Sequence, residues 1–302
     1  MKYQIVTDVT NDLTPEELAK LNIIAIPGHV TVDAGDLDVS DVDAFYQKLV
    51  DGVYPPGCIH TSSASAAAAF SAFERAVKET DEDTVIVYAS TSEHISSGTL
   101  ASHRLALAEC IDKYPNRNFV FAPTYCTSNG QALCLQYLAE YDGNDMMTYA
   151  ATTGKHIVHL FTEREFNYSL HSGRYESKAI KRAATFLEAV KFSPWMYFPS
   201  DGELQIDFSK IMRGDVVLRR WVKYYVNHRI QPADATSELD QVIRIGYAHK
   251  QELPRVQRFI SMIQNETGLP DRYFQVAHIG PFVGAHTGPT CVSIFFRQDE
   301  ER

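Results

Sequence analysis

The chain has 302 residues, 45% of them apolar and 22% charged, with a formal net charge of -10 at neutral pH. That length and composition suit a globular chain with room for two closely packed domains, and no stretch approaches the roughly 18 continuous apolar residues of a membrane helix. The acidic balance argues against nucleic acid or an anionic membrane as the main partner, since both are bound chiefly through lysine and arginine.

Five scattered cysteines with no CxxC pair read as reduced thiols, not as a disulfide frame or a metal site. The opening MKYQIVTDVT reaches Asp8 too soon for an apolar secretory core, so the expected location is the cytoplasm.

In chain order, Tyr3–Val6 is a first strand and Thr7–Asp12 a polar loop directly after it, the place where open α/β sheets hold ligands. Thr14-Pro15-Glu16-Glu17 has capping-box spacing with proline at the first helical position, which predicts a helix start. Ile23–Ile26 is the next strand. Pro27-Gly28 then turns the chain into an edge strand around His29–Val32, and a helix runs from Ser40 to about Val50. The loop Val53-Tyr54-Pro55-Pro56-Gly57 delivers the hydroxyls of Thr61-Ser62-Ser63-Ala64-Ser65 to an alanine-rich helix that reaches Val77.

Val85–Tyr88 reads as a buried strand, and the loop after it ends in Ser96-Ser97-Gly98-Thr99. From Leu100 the apolar residues recur at helical spacing, which puts Ser97 and Thr99 at a helix N-terminus. Unpaired N–H groups and a partial positive charge there attract a carboxylate or phosphate. The hydroxyl clusters around Thr61 and Ser97 flank one helix and one strand, so a parallel sheet would set them side by side. The plainer alternative for each is a helix N-cap.

Asn118–Phe121 is another strand, Pro123–Asn129 a polar segment on the same rim, and Gln131–Tyr141 and Met146–Thr153 are helices. The pattern restarts with the apolar strand Ile157–Phe161, which places a domain boundary near residue 155. Beyond it the reading gives a turn at His171-Ser172-Gly173-Arg174, a helix over Lys178–Val190, and strands around Trp195 and Leu204. A long helix over Gly214–His228, a strand at Val242–Tyr247, a helix over Pro254–Asn265, and strands at Tyr273–Ile279 and Val292–Phe296 complete the chain.

The order and spacing of these polar clusters resemble the DegV family of bacterial fatty-acid-binding proteins. Thr7-Asp8-Val9-Thr10-Asn11-Asp12 is similar to that family's TDSTSDL opening, Thr61-Ser62-Ser63-Ala64-Ser65 to TSQPS, and Ser97-Gly98-Thr99 to SGTYQ. Leu170 to Tyr175 resembles the LxxGGRI turn, Asp201-Gly202-Glu203-Leu204 the DGKL hairpin, Lys210-Ile211-Met212-Arg213 the KVR segment, and His286-Thr287-Gly288-Pro289-Thr290 the HxGPG element. Departures are Ser63-Ala64 for Gln-Pro, Leu100-Ala101 for Tyr-Gln, and Thr290 for the last glycine; they bear on kinase docking, acyl-chain preference and head-group geometry.

The resemblance implies a two-domain α/β fold, each domain a mostly parallel sheet with helices on its faces. Residues 1–155 would carry the carboxylate-binding hydroxyls and 156–302 would cover the acyl chain. It implies a bound long-chain fatty acid with its carboxylate on Thr61 and Ser97, and with Ser62, Gly98, Thr99, Arg213 and His286 near the head group. It also implies a non-catalytic carrier that presents its ligand to a fatty acid kinase, with no cofactor, no metal, no nucleic acid and no stable membrane insertion. Burial of a methylene chain supplies the driving force, about 0.8 kcal/mol per group. Neutral hydroxyls can then hold the carboxylate without the desolvation cost of a buried cation.

Two other functions compete. A serine hydrolase or acyltransferase could use Ser97 or Ser62, but there is no GxSxG elbow. A nucleotide-binding protein would need GxxxxGK[ST] or GxGxxG, and neither occurs. Asp8 and Asp12 read as capping carboxylates and not as a metal site.

Overall fold

The computed structural model of the protein describes residues 1–33, 35–171, 182 and 192–302. In the first half, β1 (Tyr3–Thr7), β2 (Ile23–Ala25), β6 (Val85–Ser90) and β7 (Phe119–Pro123) form a parallel sheet ordered β2-β1-β6-β7. Every residue of β6 is buried, as a run of apolar residues covered on both faces requires. On one face Val6, Ile86 and Tyr88 pack beneath α3 (Ala66–Lys78) and α4 (Ser97–Lys113). Helix α1 (Pro15–Lys20) carries the expected capping box: Glu17 N–H donates to Thr14 Oγ1 at 3.1 Å and Thr14 N–H to Glu17 Oε2 at 2.8 Å.

The segment expected as an edge strand is instead central. β3 (Gly28–Val32) lies between β4 (Gly35–Asp36) and β5 (Ile59–Ser63) in a small antiparallel sheet, with Val30 opposite Thr61. The Thr61 cluster is therefore strand, not helix start. The cap of α3 is Ser65, whose Oγ accepts from Ala68 N–H at 3.2 Å. Helix α2 (Val42–Val50) connects β4 to β5 and is capped by Asp41.

Helix α5 (Ser128–Glu140) is buried from Ser128 to Leu138. Such burial fits a helix covered on all sides. It lies in the core shared by both halves, where Val87, Leu133, Phe161 and Phe295 belong to one apolar cluster. Helix α6 (Met146–His156) then leads directly into β8 (Ile157–Thr162).

The second half is built on a six-stranded sheet, β10-β9-β8-β13-β11-β12, comprising β8, β9 (Phe192–Tyr197), β10 (Gln205–Arg213), β11 (Ile243–Tyr247), β12 (Phe274–His278) and β13 (Val292–Arg297). Here the expectation of a mostly parallel sheet fails: only β11 and β12 pair parallel. For one of the antiparallel pairs the cause is connection length. β9 and β10 are joined by a short turn through Gly202 (φ 80°), and such a turn closes only antiparallel strands. Helices α8 (Val216–His228) and α9 (Leu253–Thr267) cover the outer face through Trp221 and Phe259.

Arg213, expected at a helix start, is the last residue of β10 and pairs with Phe192; α8 begins at Val216. Its side chain lies outside the described structure. Of the predicted turn at 171–174, only His171 is described, closing α7 (Asn167–His171); of the helix expected over 178–190 only residue 182 is described, and the rest falls outside the described residues. A helix not anticipated, α10 (Pro281–Thr287), carries His286.

Candidate functional site

The loops after β1, β6 and β7 all leave the same edge of the first sheet, the C-terminal ends of parallel strands where α/β sheets place ligands. They contribute Thr10, Ile95, Ser96 and Thr127 to the wall of a cavity of about 340 Å3. The small sheet adds Thr61 and Ser63. The second half closes the cavity with Phe161, Ser169, Met196, Phe198, Leu204 and the α10 residues Phe282, Val283, His286 and Thr287.

Seven hydroxyl side chains line this space, together with one imidazole, and no Lys, Arg, Asp or Glu is among the described lining residues. The apolar wall is continuous: Phe161 sits opposite Met196 in the β8/β9 register, and its ring centroid lies 5.3 Å from that of Phe198.

The hydroxyls differ in what they can offer. Thr61 Oγ1 lies 2.7 Å from His286 Nε2, joining β5 to α10. Ser169 Oγ donates to the His286 carbonyl at 3.2 Å, so its proton is engaged. Thr10 Oγ1 is tied to Asp8 Oδ1 at 2.5 Å and to Gln131 Oε1 at 2.7 Å. Thr127, a lining residue that is 3% exposed, has a buried Oγ1 with no hydrogen-bond partner beside the cavity. An orphaned buried hydroxyl costs free energy unless something completes it.

The residues singled out from the sequence divide accordingly. Thr61 and His286 meet at the cavity. Ser97 does not line it: it is exposed at the first position of α4, and its neighbour Ser96 faces inward instead. Ser96 is the N-cap residue, with a non-helical backbone (φ -151°, ψ 70°), so its side chain leaves the chain in a different direction from that of Ser97. Thr99 is buried with Oγ1 at 2.5 Å from Ser96 Oγ, and Gly98 is exposed. Ser62 is exposed because side chains alternate along β5, which sends Thr61 and Ser63 inward and Ser62 out. The polar segment 123–129 did point toward Thr127, but nothing in local spacing distinguished that hydroxyl from its neighbours.

Beside the cavity, charged groups hold the two halves together. Arg244 on β11 is fully buried. Its Nε donates to Asn129 Oδ1 at 2.6 Å, and its Nη atoms donate to Glu17 Oε1 at 2.8 Å and Oε2 at 3.2 Å. Asp12 accepts from Ser128 Oγ, from Asn129 Nδ2 at 3.1 Å and from Gly280 N–H at 2.9 Å. Burial pushes the Asp12 carboxyl up to about 7, against the lowering effect of the Ser128 and Gly280 hydrogen bonds and of Arg244. Asp8 is likewise consumed by donors, from Thr10 and the Thr91 N–H. No group of three or more His, Cys, Asp or Glu able to hold a metal occurs among the described residues.

Solved structures share this architecture. A DegV protein of Eubacterium eligens loaded with heptadecanoic acid has a TM-score of 0.77 at 17% identity, over 98% of this chain and 100% of that one. A stearic acid-binding protein of Eubacterium ventriosum gives 0.74 at 19%, over 97% and 98%. A DegV family protein of Thermus thermophilus, described by its fatty acid binding, gives 0.73 at 18%, over 99% and 100%. By sequence, a DegV domain-containing protein of Clostridium perfringens is 25% identical over 99% of this chain and 98% of its own length. A family model described as an uncharacterised protein of the DegV family matches residues 2–159, more than half of the chain, and on that match the chain belongs to the DegV family.

Proposed function

We propose that this protein binds a long-chain fatty acid, its carboxylate held by the hydroxyls around Thr61, Ser96 and Thr127 and its tail lying among Phe161, Met196, Phe198 and Leu204. The observation that carries the reading is the composition of the cavity: hydroxyls and one histidine beside an aromatic and aliphatic wall, without a charged lining residue among those described. A molecule with one small anionic end and a long apolar body matches that wall. In the pair at 2.7 Å, an Nε2–H of His286 donating to Thr61 Oγ1 leaves the Thr61 proton free for a ligand oxygen. Thr127 Oγ1 has no internal partner and supplies a second donor. Hydrogen bonds to an ionised acceptor are the stronger kind, so a few neutral donors suffice. The fatty acids of the structural relatives agree with this ligand class.

On this reading the protein is a carrier, and its presentation of the acid to a fatty acid kinase is the step the family resemblance adds. The acyl-transfer alternative requires Ser97 or Ser62 at the cavity, and both are exposed outside its lining. The test is mass spectrometry of an organic extract of the purified protein. One equivalent of a fatty acid, or saturable binding of an added one, is expected; an empty extract with no binding of C12 to C20 acids would reject the reading. Adding a fatty acid kinase and ATP to the loaded protein should then yield acyl phosphate.

A further inference from the structure

A second cleft, of about 500 Å3, opens between the halves against α1, β3, β12 and the start of α10. Its wall is largely aliphatic, with Val9, Leu18, Val30 and Val276 among its residues. Among the described residues Phe282 alone lines both this cleft and the main cavity, so its side chain is the one that borders both spaces.

The ring is held by close neighbours. A Cβ on Gly28 would lie 2.8 Å from Phe282 Cε2 and 2.5 Å from Val9 Cγ1, so the glycine is what lets the ring and Val9 settle directly on β3. The Phe282 backbone is fixed from behind by Pro281 and by the Gly280 N–H on Asp12. The wall can therefore yield only through its side chain.

We infer that Phe282 is a specificity-determining residue: its ring limits which acyl chains the main cavity accepts, and the cleft behind it is where the surplus apolar atoms of a longer or branched chain go when the ring is removed. This rests on the fatty-acid reading above. An apolar chain end that passes the ring meets aliphatic side chains, and the Asp12 and Glu17 carboxylates that also line the cleft are already engaged by Ser128, Gly280 and Arg244, so the cleft suits methylenes and methyl branches. Apolar pockets discriminate between homologous chains mainly through such steric limits.

The test is a binding panel of straight C12 to C20 acids and methyl-branched acids, measured on the full chain and on Phe282→Ala. The variant should gain at least tenfold for branched or longer acids relative to the acid the parent prefers. Because truncating a buried ring loosens a core, Phe282→Leu is measured alongside and should show the same shift, smaller. Adding Val276→Phe, which refills the cleft from its half-exposed rim, should reverse the shift. Wild-type binding with an unchanged rank order in both Phe282 variants overturns the proposal alone, as does a shift that Val276→Phe leaves intact. A wild-type protein that binds none of the panel overturns the fatty-acid reading itself.

Discussion

Arg244 holds both carboxylate oxygens of Glu17, at 2.8 and 3.2 Å, with none of its own side chain exposed. One guanidinium thereby ties β11, the strand next to the edge of the second sheet, to α1 of the first half. Truncating one member of a buried ion pair leaves the other uncompensated and typically costs about 3 to 5 kcal/mol. Arg244→Met should therefore destabilise by that order in urea unfolding. Glu17→Gln should cost less, because Glu17 is about a third exposed and glutamine still completes a capping box. An Arg244→Met variant within about 1 kcal/mol of the parent would show that the clamp is incidental.

Asp12 gives the clamp a pH dependence. Its carboxyl titrates near 7 in the folded chain, raised by burial, against about 3.9 when unfolded. Between those values the folded state binds a proton that the unfolded state does not. This group's contribution to stability is thus fully present below about pH 4 and declines as pH rises towards 7, by at most about 1.4 kcal/mol per unit. Glu17 acts with the opposite sign: burial would raise it, but the hydrogen bonds and charge of Arg244 hold it below its ordinary value. Its contribution is present above that ordinary value and fades as the solution turns more acid. Unfolding of parent and Asp12→Asn across pH 4 to 7 should show the downward trend flattened in the variant, and parallel curves would remove Asp12 as its source.

At the cavity, Thr61→Ala and Thr127→Ala should each weaken fatty-acid binding by about 1.5 to 3 kcal/mol, roughly ten- to a hundredfold. His286→Ala should weaken it through Thr61, so the Thr61/His286 double variant should lose less than the sum of the singles, with a coupling of about 0.5 to 3 kcal/mol. Strict additivity in titration calorimetry would mean that the pair at 2.7 Å does not act as a unit.

Ser96 and Ser97 separate the two placements of the α4 hydroxyl. Ser96→Ala should reduce affinity, whereas Ser97→Ala should leave it within about twofold, as expected for an exposed side chain outside the lining. The reverse order would return Ser97 to the carboxylate.

Much of this was legible in the chain because it depends on local rules. Thr14 and Glu17 are three residues apart, and their reciprocal cap forms whatever surrounds it. The unbroken apolar run of Val85–Tyr88 and the polar loops after three strands mark the cavity rim by local pattern alone. Two misreadings have a common cause. Thr61 looked like a helix start because an alanine-rich helix follows it, but Val30 of β3 pairs with it across 31 residues and makes it strand. The β9/β10 pair turned antiparallel because a short turn lay between segments that read only as two strands.

By itself the sequence determined the family, the α/β character, the rim loops and the hydroxyl-rich segments, since each follows from composition, periodicity or motif order within a few tens of residues. Only the tertiary structure decided that Ser96 and not Ser97 faces inward, that Thr127 is left without a partner, that Arg244 closes on Glu17, and that Phe282 borders two spaces. Those outcomes depend on which groups meet across long separations, 225 residues for Thr61 and His286 and 227 for Glu17 and Arg244. Packing of whole elements sets such meetings, and no local spacing in the chain encodes them.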